Sequence, residues 1–587
     1  MTRSPQRLET GNWAAVFDLG QGTLRASSPP LRRSGLSLFF SGYIANPGEV
    51  AALLGQPGLR DPHELAHAAW LRWECRLARH VLGAFGIAVL DHRQGVLTLV
   101  QDALGQRPLF FAREDGAEGA LCRIADTLDG LLASGGARGR CLDYFASWLR
   151  FGHGASDLTP YEGVRRLAHG RHVRIGTRTT QQGAAVTPAA AQFAWSHTRA
   201  EAEQELVRQV EQAVARECAG LRNPLFELSG GLDSSTVVAL ARRGAGARRL
   251  HAVTWGSPHD DDIGYAAPLA QQLDLAQRIV MRPDDDFIDW DSVHDWAEPG
   301  NEFSGTLRKV LRELVAGRHD AVVTGVGGDD VFHGRGMAPT WLADLLRAGR
   351  LGQALRTIRT APPDGTPQRL FVSQLWRFGL RPLFGGAGVT GFTPHYAYCR
   401  DFMERCAALA PADMNLPREA SAARSDFWRN LRMLVANRVA PGHLMPEIGF
   451  RHPLLSLPLV EFSAAILGRY ETHLRPDRTL QRSAFAGRVP APILERTSKG
   501  GSLAQEAAYW RGDDARRRFR TDASHAVALG LVDARQWEAL LGAARFGRVA
   551  NLREFDFIMK TEIWLRGAKG GAASRSAELA VVAGPPD

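Results

Sequence analysis

Phe226-Glu227-Leu228-Ser229-Gly230-Gly231-Leu232-Asp233-Ser234-Ser235 is entered from an apolar run (Pro224, Leu225, Phe226) and left by a helical pattern (Thr236, Val237, Val238, Leu240). The order spells strand, tight loop and helix start. Two glycines let the backbone turn and approach a bound group without a Cβ in the way. The hydroxyls of Ser229, Ser234 and Ser235, with the free N–H groups of the helix start, favour an anion. Asp233 repels a phosphate unless a divalent cation lies between them. The stretch therefore reads as a cradle for pyrophosphate and magnesium. It is no Walker loop, because no Gly-Lys-Ser/Thr follows at the required spacing.

Outward from this loop, apolar runs alternate with helical patterns: strands at 250–255, 278–281 and 321–325, helices at 263–273 and 306–316. Such alternation implies a parallel sheet covered on both faces. Ligands of such sheets sit beyond the carboxyl ends of the strands. Residues 229–235 lie at one such end, and Gly325-Val326-Gly327-Gly328-Asp329-Asp330 at another. Beyond residue 340 the pattern is mostly helical. The first half reads differently. Runs at 84–90 and 96–100 flank the turn Asp91-His92-Arg93-Gln94-Gly95, a hairpin signal. Further strands are expected at 36–44, 108–111 and 172–175, with helix from about residue 142. The segment 182–196, rich in Ala, Gln and Thr, reads as a linker. This divides the chain into a domain at 13–181, a linker at 182–199, a second domain at 200–566 and a disordered tail at 567–587 rich in Ala, Gly, Ser and Pro.

A chain of 587 residues is too long for one core. Its 45% apolar and 23% charged residues are ordinary for a soluble globular protein. The net charge of +9 is carried by scattered basic residues rather than a patch, so no nucleic-acid partner is expected. Cys75, Cys122, Cys141, Cys218, Cys399 and Cys406 form no C-x-x-C pair and no zinc spacing, which fits a reducing cytoplasm. Residues 1–13 lack the apolar core of a signal peptide, and no run approaches the ~20 apolar residues of a membrane span. A cytoplasmic location is expected.

The Ser-Gly-Gly-Leu-Asp-Ser stretch resembles the pyrophosphate loop of ATP pyrophosphatases, which split ATP into AMP and pyrophosphate to activate a carboxylate. Three later segments resemble the synthetase domain of asparagine synthetases and their relatives. They are Gly327-Gly328-Asp329-Asp330-Val331-Phe332-His333-Gly334, the stretch at 448–459 (IGFRHPLLSLPL, with Ser456 in place of the usual acid), and Arg496-Thr497-Ser498-Lys499-Gly500-Gly501. The resemblance covers roughly residues 200–570. It implies that Asp233 and Asp329 share magnesium and that Leu228, Ser229, Gly230, Gly231 and Ser234 hold pyrophosphate. Main-chain groups near Val253, Thr254 and Trp255, and near Thr324 and Gly325, would frame adenine and ribose. Lys499 would offset charge on the adenylate during acyl transfer.

Asp102-Ala103-Leu104-Gly105-Gln106-Arg107-Pro108-Leu109-Phe110-Phe111, Gly83-Ala84-Phe85-Gly86-Ile87-Ala88 and Pro160-Tyr161-Glu162-Gly163-Val164-Arg165-Arg166-Leu167 resemble the glutaminase domain of the same family. The implied fold class is α/β: an N-terminal Ntn-hydrolase-like αββα domain, then a doubly wound parallel-sheet ATP pyrophosphatase domain with helical additions. Glutamine hydrolysis in that family needs an N-terminal cysteine, whose own α-amine serves as base. Here Thr2 follows Met1, Arg3-Ser4-Pro5-Gln6 bears no likeness to the family's opening, and the first cysteine is Cys75.

Without internal ammonia the amine must come from elsewhere. The chain is similar to β-lactam synthetases and, in length and in its helical region 340–440, more so to lasso peptide cyclases; an asparagine synthetase using free ammonia and an inactive peptide-binding scaffold are the alternatives, the latter opposed by Asp233, Asp329 and Lys499. The resemblance to lasso peptide cyclases implies ATP and magnesium as cofactors, a precursor peptide as substrate and a leader peptidase as partner. Val326 stands where asparagine synthetases carry Glu and β-lactam synthetases carry Tyr, so the amine is expected to lose its proton to Glu298, to Asp330 or to solvent. Three motifs read as decoys: Gly386-Ala387-Gly388-Val389-Thr390-Gly391, His63-Glu64-Leu65-Ala66-His67 and Asp284-Asp285-Asp286. The first lacks a flanking strand and helix, the second a third zinc ligand, and the third fits a solvated turn.

Overall fold

The computed structural model describes residues 12–116, 119–135, 139–151, 157–186, 198–256, 261–281, 297–299, 305–316, 318–333, 341–359, 375–383, 399, 402, 404, 421–439, 448–467, 469–470, 477–498, 509–546, 552–567 and 580–581.

The first half folds as two six-stranded antiparallel sheets stacked face to face. One runs Ala580–Val581, Thr23–Ala26, Ala14–Asp18, Gly119–Ala125, Phe110–Gly116, Val164–Arg166; the other Thr180–Ala184, Arg171–Ile175, Val96–Gln101, Phe85–Asp91, Leu36–Gly42, Leu31–Arg33. Period-two alternation sorts the side chains. Phe17, Phe39, Leu90, Leu97, Leu99 and Ile124 meet between the sheets. Phe40, Phe85, Ile87 and Val89 face outward against Leu65, Ala66 and Ala69 of the helix Pro62–Trp73. Ala14, Phe110, Ala112 and Ala125 face the helix Leu128–Ala133 on the other side. The result is a helix–sheet–sheet–helix sandwich. The expected hairpin is present: Asp91 Oδ1 accepts from the N–H groups of Arg93 and Gln94 (2.9 and 3.0 Å), and Gly95 takes φ +62°. The strand Thr180–Ala184 extends into the stretch read as linker, and Ala580–Val581 pairs with Thr23–Ala26 from within the stretch read as tail.

The second half opens with the helix Arg199–Cys218, closed at its start by a reciprocal Thr198–Glu201 capping box. It leads to a five-stranded parallel sheet ordered Ala276–Met281, His251–Gly256, Leu225–Glu227, Val322–Val323, Phe450–Arg451. The strands are short apolar runs, and the helices Leu232–Gly244, Asp262–Gln272 and Gly305–Val315 fall between them. The helix Leu552–Gly567 carries Phe557 and Trp564 back onto Phe145 and Trp148 of the first half. Among the described residues, no helix is long and apolar enough to cross a membrane.

Candidate active site

Leu225–Glu227, the central strand, ends at the loop of interest. The Leu228 N–H donates to Val253 O (2.9 Å), and the Leu228 carbonyl accepts from the Thr254 hydroxyl (2.7 Å), tying the loop to the neighbouring strand. Gln277 Nε2 donates to Thr254 Oγ1 (2.7 Å), and Trp255 Nε1 to Glu227 Oε1 (3.1 Å). Burial holds the Glu227 carboxyl above its usual range. Gly230 takes φ +69°, and a Cβ there would lie 2.7 Å from Ala266 N and 2.8 Å from Asp262 O. Only glycine fits this turn against the next helix. Gly231 caps Leu232–Gly244, so Asp233 and Ser234 occupy its first turn. The hydroxyls of Ser229 and Ser234 lie 3.0 Å apart, and Ser229 Oγ accepts from Gly231 N (3.3 Å).

The second loop leaves the strand Val322–Val323 and packs against the first. A Cβ on Gly325 would lie 2.5 Å from Ser234 N, and one on Gly328 would lie 2.1 Å from Asp233 Cγ. Gly327, at φ +97°, caps the turn Gly328–Val331 that carries Asp329 and Asp330. Asp233 and Asp329, 96 positions apart in the sequence by number, are thereby brought to one basic side chain. Arg478 Nη1 stands 3.0 and 2.9 Å from the two Asp233 oxygens and 3.3 Å from Asp329 Oδ1. Gln481 Nε2 adds a bond to Asp233 Oδ1 (3.2 Å), and Asp477 supports Arg478 (3.5 Å) and Arg482 (3.1 Å).

The pairing also tests the fit for magnesium. Among the described residues no three ligating groups converge. Magnesium usually takes one or two carboxylates, with phosphate and water completing its shell. One cationic nitrogen already reaches both Asp233 and Asp329, so a single ion shared by the two carboxylates fits this donor set.

Sequence reading missed Arg478 and Gln481. Their only signal was the charged spacing Asp477-Arg478-Gln481-Arg482 at a helix start. It also missed the anchor of the late basic loop. Arg496 Nη2 donates to Asp261 Oδ1 (2.5 Å) and Asp262 Oδ1 (2.7 Å), its guanidinium lies 4.2 Å from the Tyr265 ring centroid, and Ser498 Oγ donates to Asp261 (2.6 Å). The loop is thus tied to the helix that packs on Gly230. Lys499 itself lies outside the described residues, as do Gly386–Gly391, Asp284–Asp286 and Cys406. Glu298 is buried and ion-paired with Arg166 of the first half. Asp330 follows Asp329 on the same turn, and its carbonyl accepts from His333 N (3.4 Å).

Thr324 is held from the edge strand. Its N–H donates to Arg451 O (3.0 Å), and its hydroxyl hydrogen-bonds His452 Nδ1 (2.8 Å) and accepts from Val326 N (3.2 Å). Burial, with Arg451 adjacent, holds the His452 imidazole down to about 4. An unfolded histidine titrates near 6.5, so at lower pH the unfolded chain takes up a proton that the folded chain refuses. The stability from this residue is present above that pH and is lost as pH falls toward 4. Between pH 7 and pH 5 the loss is about 2 kcal/mol. Denaturant unfolding at both pH values is expected to show the wild type losing about that much more than His452→Gln.

In the first half, burial pushes the thiols up: Cys75 to about 11, Cys122 to about 12, and Cys141 upward as well; Cys218, in the first helix of the second half, is likewise pushed up to about 12. The strand Ala14–Asp18 is entered through Asn12 and Trp13, whose N–H groups donate to the buried Asp126 carboxylate (2.7 and 3.0 Å). Asp126 also accepts from Ser41 Oγ (2.7 Å) and Arg107 Nη2 (3.4 Å).

The asparagine synthase domain matched by this chain is that of an ATP-dependent amide-forming ligase. The chain belongs to the asparagine synthase family, whose family model matches residues 205–566, and a second model, the glutamine amidotransferase domain, matches residues 26–184. Members of this family use ATP. No curated protein matches the chain. Among solved structures, the U34-tRNA thiolase NcsA from Methanococcus maripaludis with its 4Fe–4S cluster aligns at 15% identity and TM-score 0.19, over 40% of this chain and 80% of that one.

Proposed function

We propose that the chain is a lasso peptide cyclase. It adenylates an Asp or Glu side chain of a precursor core peptide, then joins that carbonyl to the peptide's N-terminal amine with release of AMP and pyrophosphate. The observation that supports this reading lies in the first half: among the described residues, Asn12 and Trp13 lead into the strand Ala14–Asp18 with their N–H groups on Asp126, and burial pushes the thiols of Cys75, Cys122 and Cys141 up, away from the reactive thiolate. The amine is then supplied by the substrate itself.

In this reading Ser229, Gly230, Gly231 and Ser234 bind the β- and γ-phosphates through backbone N–H and hydroxyl groups at the helix start. Asp233 and Asp329 would hold magnesium, which neutralises charge on the departing pyrophosphate. Val253–Trp255 and Thr324–Gly325 frame the nucleoside, and Lys499 would offset the charge that develops on the acyl adenylate. Val326, being apolar, moves no proton. Asp330, which follows Asp329 on the same turn, is the candidate acceptor, and Glu298 is ion-paired with Arg166 of the first half. A leader peptidase remains the proposed partner.

Supplying ATP and magnesium with aspartate, and either glutamine or ammonia, discriminates this reading from an asparagine synthetase. The expected outcome is neither asparagine nor glutamate, together with AMP formation that starts only when peptide is added. Asparagine formation from either nitrogen source overturns the reading.

A further inference from the structure

The segment that closes the nucleotide site is gripped from the first domain. Arg451 ends the edge strand of the parallel sheet, and its carbonyl takes the Thr324 N–H (3.0 Å). Its side chain leaves the second domain and lies over the Tyr43 ring, with the guanidinium carbon 3.1 Å from the centroid. Tyr43 directly follows the first-domain strand Leu36–Gly42, and its hydroxyl donates to Glu217 (2.7 Å) at the end of the helix Arg199–Cys218. Arg451, Tyr43 and Glu217 are 3%, 5% and 6% exposed, so the cation sits on the ring out of water, where such contacts are strongest. Four residues further on, the Leu455 carbonyl accepts from Gln106 Nε2 of the first domain (3.5 Å). The Leu455 side chain lies 2.6 Å from where a Cβ on Gly327 would stand, under the residue that caps the Asp329 turn. Both grips therefore lead within a few residues to Thr324 and Asp329.

We propose that the glutaminase-like domain works in this chain as a positioning element for the synthetase site, with Tyr43 as the positioning residue that fixes Arg451. The proposal rests on the reading of Thr324–Asp329 as the nucleotide site. The ring face is the part of Tyr43 that meets the guanidinium, and the hydroxyl serves the helix end. Tyr43→Phe therefore keeps the contact and Tyr43→Leu removes it.

Backbone hydrogen exchange of the full chain, without substrate, reads the effect directly. In Tyr43→Leu, exchange at Val326, Val331 and Phe332 is expected to rise about tenfold, the scale of losing a desolvated cation–ring contact. Leu228, held by Val253 O, stays protected, and Tyr43→Phe stays within about twofold of wild type. Should Tyr43→Leu fail to fold, Arg451→Lys, which keeps the charge without the planar group, is expected to loosen the same amides. Unchanged protection at 324–332, a rise spread evenly over both domains, or a Phe variant as open as the Leu variant overturns the proposal. In parallel, with the core peptide present as carboxylate donor, the KM for magnesium–ATP in ATP–pyrophosphate exchange is expected to rise in Tyr43→Leu and to be rescued in Tyr43→Phe. A loosened segment in an enzyme with no such exchange supports the mechanical link and overturns the functional reading on which it rests.

Discussion

Asp233→Asn is expected to lower ATP–pyrophosphate exchange by about a thousandfold or more while leaving the chain folded. Asparagine has the shape of aspartate, and its remaining oxygen can still accept from Arg478 and Gln481, which hold the native side chain at 2.9–3.2 Å. Arg478 keeps Asp329 and Asp477 as counter-charges. What the variant lacks is one negative charge, at the point where the two loops bring Asp233 and Asp329 to a common cation. Exchange of labelled pyrophosphate into ATP, read beside the thermal unfolding midpoint, separates the two effects. Near-normal exchange in Asp233→Asn removes the aspartate from the reaction. Loss of exchange with loss of fold leaves it a structural acid.

Gly328→Ala is expected to act through shape alone. A Cβ there stands 2.1 Å from Asp233 Cγ and 2.4 Å from its Oδ1, inside any tolerable contact. The carboxylate cannot swing aside freely, because Arg478 and Gln481 hold it from the other side. Either the Asp329 turn or the Asp233 side chain must move. Misplacing a charge by about 1 Å costs about a hundredfold in rate, and overpacking of this kind costs about 1–3 kcal/mol in stability. Gly244→Ala is the matched control, since it sits at the end of the helix that carries Asp233, with nothing within 4 Å of its added Cβ. It is expected to leave exchange unchanged. Equal exchange in the two variants contradicts the close apposition of the loops.

What the sequence disclosed and what it withheld divide along contact range. The strand–loop–helix at 226–235 was legible because its parts are neighbours: an apolar run, two glycines and a helical period. The hairpin around Asp91–Gly95 was legible for the same reason. The parallel sheet followed from alternation, with strands at 251–256 and 276–281 against expected 250–255 and 278–281. The edge strand Phe450–Arg451 escaped because two residues carry no periodicity, yet it is the element that holds Thr324. Arg478 escaped because its partner Asp233 lies 245 positions away, and a lone arginine at a helix start looks like any surface cation. Glu298 looked free for proton transfer in one dimension. Folding sets it against Arg166, a residue of the other domain. Residue types and local periods thus announced the loop and the acids, while the basic partners that arrange those acids emerged only from the fold.

The proposed reaction of this ATP-dependent ligase closes a ring within a peptide and draws no ammonia from glutamine. Its most direct measurement is mass spectrometry of a candidate short precursor peptide incubated with the full chain, a leader peptidase, ATP and magnesium. The expected product is lighter by one water and resistant to amine labelling at its N-terminus, with one AMP formed per peptide. An unmodified peptide, with asparagine appearing when aspartate and ammonia are supplied, would contradict it.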